Sequence, residues 1–132
     1  MSEWLDEWPQ WGVRMGDARI APRVRGRIAV CWSLASHAGQ EAQWLAGQPV
    51  AGAWQQQEGV AEVSVSGLRL AMDAPPAVGD RLLLTLRLRR GGRPLRAVAI
   101  VRRVDAGGVA CELAGAGPGT ATSLFAFTWR RL

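Results

Sequence analysis

Residues 82–104 read LLLTLRLRRGGRPLRAVAIVRRV, and their alternation decides the fold. Leu82, Leu84, Leu86 and Leu88 are interleaved with Leu83, Thr85, Arg87 and Arg89, the period of two that gives a β-strand one strongly apolar face. Gly91-Gly92 marks a hairpin turn, and Leu95 to Val104 follows with Ala97, Ala99 and Val101 on one side.

The pattern extends in both directions. Asp105-Ala-Gly-Gly108 reads as a turn before a strand from Val109 to Leu113, and Gly115 to Gly119 reads as loop. Thr120 to Leu132 is predicted helical, with Thr120 or Thr122 as its cap and Leu124, Phe125, Phe127 and Trp129 as its apolar surface. Upstream, Asp73 to Asp80 is rich in breakers, and Val60–Ser64 and Leu68–Met72 flank a tight turn at Ser66-Gly67. Ile28 to Trp32 is a short apolar strand. Residues 33–58 read as a long connection carrying a short helix near Gln40–Ala46, together with Trp44 and Trp54. Residues 1–18 form a separate leader in which Trp4, Leu5, Trp8 and Trp11 stand at helix-like spacing. These indoles suit either a partner-binding segment or a cover for one barrel opening. Five to seven short strands and one terminal helix, without βαβ alternation, predict a mainly β protein: a small antiparallel barrel or sandwich in residues 19–132.

Composition narrows the function. The chain has 132 residues, enough for one domain with a single core. It has no apolar run of membrane-span length, and its acidic, Trp-rich opening is unlike a signal peptide, so a cytoplasmic protein is expected. Cys31 and Cys111 lie far apart, without the spacing of a metal site, and are expected to be reduced and buried. His37, the single histidine, has no nucleophile at recognisable spacing, so no catalytic residue, metal or cofactor is assigned. All sixteen basic residues are Arg. Residues 1–18 carry one Arg against four acids, whereas residues 19–132 carry fifteen Arg against seven. A basic body points to an anionic ligand. Nucleic acid fits less well, because the Trp residues do not alternate with Arg along one strand face as a stacking platform requires.

Three features, in order, resemble the PilZ family of bacterial receptors. Arg19-Ile-Ala-Pro-Arg23 resembles the family's RxxxR motif ahead of the first strand. Glu62-Val-Ser64-Val-Ser-Gly67 with Leu-Arg-Leu after it is similar to the D/N-x-S-x-x-G signature and its next strand. Val78-Gly79-Asp80, the Leu-rich strand and Val98 to Val104 match the framework that follows. The resemblance implies a PilZ-type β-barrel with a C-terminal helix, cyclic di-GMP as ligand and a protein partner downstream. It implies ligand contacts from Arg19, Arg23, Glu62, Ser64 and Gly67, with Arg27 and Arg69 as neighbouring cations in the candidate set. Guanidinium forks suit phosphate oxygens and the guanine O6/N7 edge, and a carboxylate at residue 62 suits the guanine N1–H and amino group. Glu62 departs from the family's Asp or Asn by one methylene. That departure keeps open a second expectation, an adaptor of the same fold that ignores the nucleotide.

Overall fold

The structure, a computed structural model, describes residues 23–130. Six strands form a closed antiparallel barrel: β1 (Val24–Leu34), β2 (Gln55–Ser64), β3 (Gly67–Leu70), β4 (Arg81–Arg87), β5 (Leu95–Asp105) and β6 (Gly108–Ala116). The ring order is β1-β2-β3-β6-β5-β4, and pairing of β1 with β4 closes it. Closure matters because it leaves no unpaired strand edge to recruit another chain. Helices α1 (Ala38–Leu45) and α2 (Thr120–Arg130) pack against this ring.

Strand alternation fills the interior. Val24, Ile28, Val30 and Trp32 of β1 point inward, as do Leu82, Leu84 and Leu86 of β4 and Ala97, Ala99 and Val101 of β5. Each Leu removed from water contributes about 1.5–3 kcal/mol, so the Leu-rich strand is the densest source of cohesion in the barrel. Helix α2 adds Leu124 and Phe127 to the same core. It touches both β2 and β5, which stand opposite one another in the ring, so it lies across one end of the barrel. The Thr120 hydroxyl donates to the Arg96 carbonyl at 2.9 Å, tethering α2 to β5 rather than capping the helix.

Several expectations change. The 33–58 connection is largely ordered: β1 runs on to Leu34, His37 caps α1 by accepting from the Gln40 N–H, and β2 already begins at Gln55. Strand β4 is apolar on both faces, since Leu83 is buried outside the barrel with Val98 beneath Trp44 of α1. The turn before β3 is Val65-Ser66, and Gly67 is already paired with Ser64. Strand β6 extends through Gly115 to Ala116, and the β4–β5 connection spans residues 88–94 rather than two glycines. Cys31 is half-buried, because alternation sends Val30 and Trp32 inward and Cys31 to the outer wall; Cys111 is buried as expected. The leader 1–18 and Arg19 lie outside the described residues.

Candidate ligand-binding cleft

A cleft of about 600 Å³ opens on the outer wall of β2, β3, β6 and the end of β5. Strand register explains it. Arg25 of β1 pairs with Glu62 of β2, Glu62 with Arg69 of β3, Arg69 with Ala110 of β6, and Ala110 with Arg103 of β5. Residues paired across strands share a face, so this row runs over the outside of the barrel. The next row joins Ser64, Gly67 and Glu112. Gly67 and Ala110, the smallest members, make the floor, while the long side chains around them make the walls.

Arg23 stands just ahead of β1 and lines this cleft with Glu62, Ser64, Gly67 and Arg69. Five of the sequence-derived candidates are therefore together. Arg27 is two positions further along β1 from Arg25, outside the cleft lining, where it stands 4.0 Å from Glu58. Glu62 lies between Arg25 and Arg69 in register, yet forms no ion pair among the described residues. Ser64 is only 3 % exposed, and its hydroxyl braces the turn. It accepts from the Ser66 N–H at 3.2 Å, shares a hydrogen bond with the Ser66 hydroxyl at 3.1 Å and reaches the Gly67 carbonyl at 3.4 Å. Gly67 is required by proximity and not by a left-handed backbone, because a Cβ there would drive into the Cys111 carbonyl oxygen of β6.

The arginines of the cleft are held by acids. Arg69 donates to Asp105 at 2.5 Å, Arg103 lies 3.2 Å from the same carboxylate, and Arg102 donates to Glu112 at 2.7 Å. The Arg69 hydrogen bond chiefly, helped by the Gly107 N–H, holds the Asp105 carboxyl below the usual carboxylate range. The second terminal nitrogen of Arg69, Nη1, is buried and has no hydrogen-bond partner among the described residues. Burial pushes the Cys111 thiol up to about 11, so it serves as packing and not as a nucleophile at neutral pH. Sequence reasoning missed Arg102, Arg103 and Glu112. The available signal was two consecutive arginines inside a strand that should bury every second side chain. Among the described residues no cluster of three or more His, Cys, Asp or Glu is placed to hold a metal, and no helix is long and apolar enough to cross a membrane.

The described residues thus form a packed small barrel with an arginine-rich cleft on the outer wall of β2, β3, β6 and the end of β5. The model of the PilZ domain matches residues 45–128, and the chain belongs to the PilZ domain family. The match begins at the last residue of α1, so it covers the Glu62–Gly67 turn and does not reach Arg19 or Arg23. Among solved structures the fold is similar to that of the Bacillus subtilis inhibitor of motility, MotI/DgrA, with a TM-score of 0.59 and 17 % identity over 87 % of this chain. The alignment covers 51 % of that protein, so the chain spans about half its length. No curated protein matches the sequence.

Proposed function

We propose that the module is a cyclic di-GMP receptor whose ligand occupies the cleft over Gly67 and Ala110 and changes contacts with a protein partner. The observation that carries this reading is that Arg23, from ahead of β1, and the Glu62–Gly67 turn face one cleft. In this reading Arg19 and Arg23 clamp phosphate or the guanine Hoogsteen edge, and Glu62 accepts from the Watson–Crick edge of a guanine. Ser64 contributes by fixing the turn rather than by direct contact, since its hydroxyl is already engaged. Ligand engaging Arg19 and Arg23 draws the segment ahead of β1 onto the barrel wall, which gives the Trp-rich leader two arrangements to present to a partner. The structural neighbour MotI/DgrA is by name an inhibitor of motility, which makes a motility component the first partner to test. A cytoplasmic site of action follows from the ligand proposed.

Isothermal calorimetry with cyclic di-GMP tests the reading. Binding at micromolar concentrations is expected, weakened about tenfold or more in Arg23→Ala, the loss of about 1.4 kcal/mol expected for a charge-assisted contact. No heat at tens of micromolar ligand, or an unchanged Arg23→Ala, overturns it.

A second reading rests on Glu62, where the family carries Asp or Asn. The extra methylene shifts the carboxylate by roughly one bond length, enough to weaken a hydrogen bond sharply. The module is then an adaptor that acts through protein contacts alone. Glu62→Asp separates the two: it strengthens binding if the family geometry is the better one, and changes nothing in an adaptor that ignores the nucleotide.

A further inference from the structure

The end of β5 breaks the alternation that the rest of the strand keeps. Val101 pairs with Cys111 and points into the core, while Arg103 pairs with Ala110 and points out. Two residues of β5 thus advance against one of β6, a β-bulge at Arg102. Regular alternation would send Val101 in, Arg102 out and Arg103 in. Arg103 would then sit among Leu68, Leu70 and Val109, where an unpaired guanidinium is prohibitively costly. The bulge instead puts both arginines on the outer wall, and both line the cleft.

Their surroundings are electrostatically incomplete. Among the described residues, the ion pairs of Arg69, Arg102 and Arg103 engage only Asp105 and Glu112, two carboxylates for three cations. Arg69 is 23 % exposed, and its Nη1 has no hydrogen-bond partner among those residues. The pairs of Arg102 with Glu112 and of Arg103 with Asp105 are between 40 % and 68 % exposed, the kind of surface pair that holds a side chain in place without binding it strongly. An anion arriving over Ala110 meets three guanidinium groups, two of them held only by exposed pairs.

We propose that Arg102 and Arg103, brought to one face by the bulge, form with Arg69 a second anion subsite of the cleft, which takes a phosphodiester group of the nucleotide ligand. The inference rests on the receptor reading above and extends it to the far wall. Arg23, ahead of β1, and Arg103, on β5, both line the cleft, so its cations stand on two sides of the floor. A nucleotide with two phosphodiester groups seated there meets guanidinium groups on both sides.

The test is calorimetry of the full chain with cyclic di-GMP, comparing wild type, Arg23→Ala and the double variant Arg102→Ala/Arg103→Ala, with thermal melting of each as a check on folding. The double variant is expected to melt like wild type and to bind at least about tenfold more weakly, since each lost charge-assisted bond is a large fraction of that factor. Replacing both by Lys keeps charge without the planar fork and is expected to recover only part of the loss. Asp105→Asn frees Arg69 and Arg103 and is expected to tighten binding several-fold, a change that a purely structural role would not produce. Wild type that gives no heat overturns the receptor reading and this inference with it. Wild type that binds, with the double variant within about twofold of it, overturns the second subsite alone and leaves the receptor reading standing.

Discussion

The two ends of β5 carry arginines put to opposite uses, and the comparison explains how a plain barrel acquires a site. Near its start, Arg96 lies beneath α1: its guanidinium is 3.8 Å from the centre of the Trp44 ring and donates to the Trp44 and Gln48 carbonyls at 3.0 and 2.6 Å. The Trp44 indole is buried on Leu83 and Val98, donates to the Leu84 carbonyl at 3.0 Å and stands 4.8 Å from the Trp54 ring. At the far end, Arg102 and Arg103 meet carboxylates at an open wall. The first arginine satisfies the backbone of an inserted helix and is consumed by the fold. The others keep exchangeable partners. Whether a wall of the barrel is structure or site is decided by what covers it, because the strands beneath are alike.

Removing the cover should have the largest effect. Trp44→Ala deletes the ring contacts, the indole hydrogen bond and the cation–π contact, and is expected to lower stability by about 3–5 kcal/mol in urea denaturation. Ligand affinity, read under native conditions, is expected to stay within about twofold of wild type. A joint loss of both would show that the two walls are coupled. Trp44→Phe keeps most of the apolar volume but loses the indole hydrogen bond to the Leu84 carbonyl, with an expected cost of about 0.5–1.5 kcal/mol.

The open wall has its own structural dependence, at Gly67. A side chain there collides with the Cys111 carbonyl, so Gly67→Ala must spread β3 from β6, at an expected cost of about 1–3 kcal/mol. The same change lifts the cleft floor, so affinity falls together with stability. A Gly67→Ala protein as stable as wild type would mean that the two strands separate freely, and the floor would then not be fixed by packing.

Much of this is legible in the sequence alone. The interior of β4 and β5 follows from alternation, and the glycine turns at 91–92 and 107–108 fall between strands that pair, whereas the breaker-rich 73–80 loop joins β3 to β4, which do not. The two motifs read from the sequence also come together in part, since Arg23 and the Glu62–Gly67 turn share a cleft. Three things are hidden for physical reasons. Burial of Leu83 depends on α1, whose contacts lie some forty residues away and leave no local period. Residues 55–58 are all polar and read as connection, because β2 begins on the solvent side with glutamines facing β1. The bulge at Arg102 shows in the sequence only as an adjacent pair of arginines, and a pair of charges is ambiguous until the register of β6 is known.

The smallest effect is the most diagnostic of the open wall. Because its partners hold the Asp105 carboxyl below the usual range, the folded state favours the ionised form more than the unfolded chain does. The stabilisation is therefore complete above the unfolded aspartate value of about 3.9 and disappears as pH falls through the lower folded value. Between about pH 5 and 8 the contribution is flat. Asp105→Asn should show a slightly lower urea midpoint than wild type at about pH 6, and the gap should close on acidification to about pH 3. A gap that stays constant across this range would mean that the carboxylate is not what positions Arg69. If the gap closes while Asp105→Asn tightens nucleotide binding at neutral pH, the carboxylate has been adding a little stability while competing with the ligand for Arg69, whereas the carbonyls that hold Arg96 near the start of the same strand have no such competitor in the proposed site.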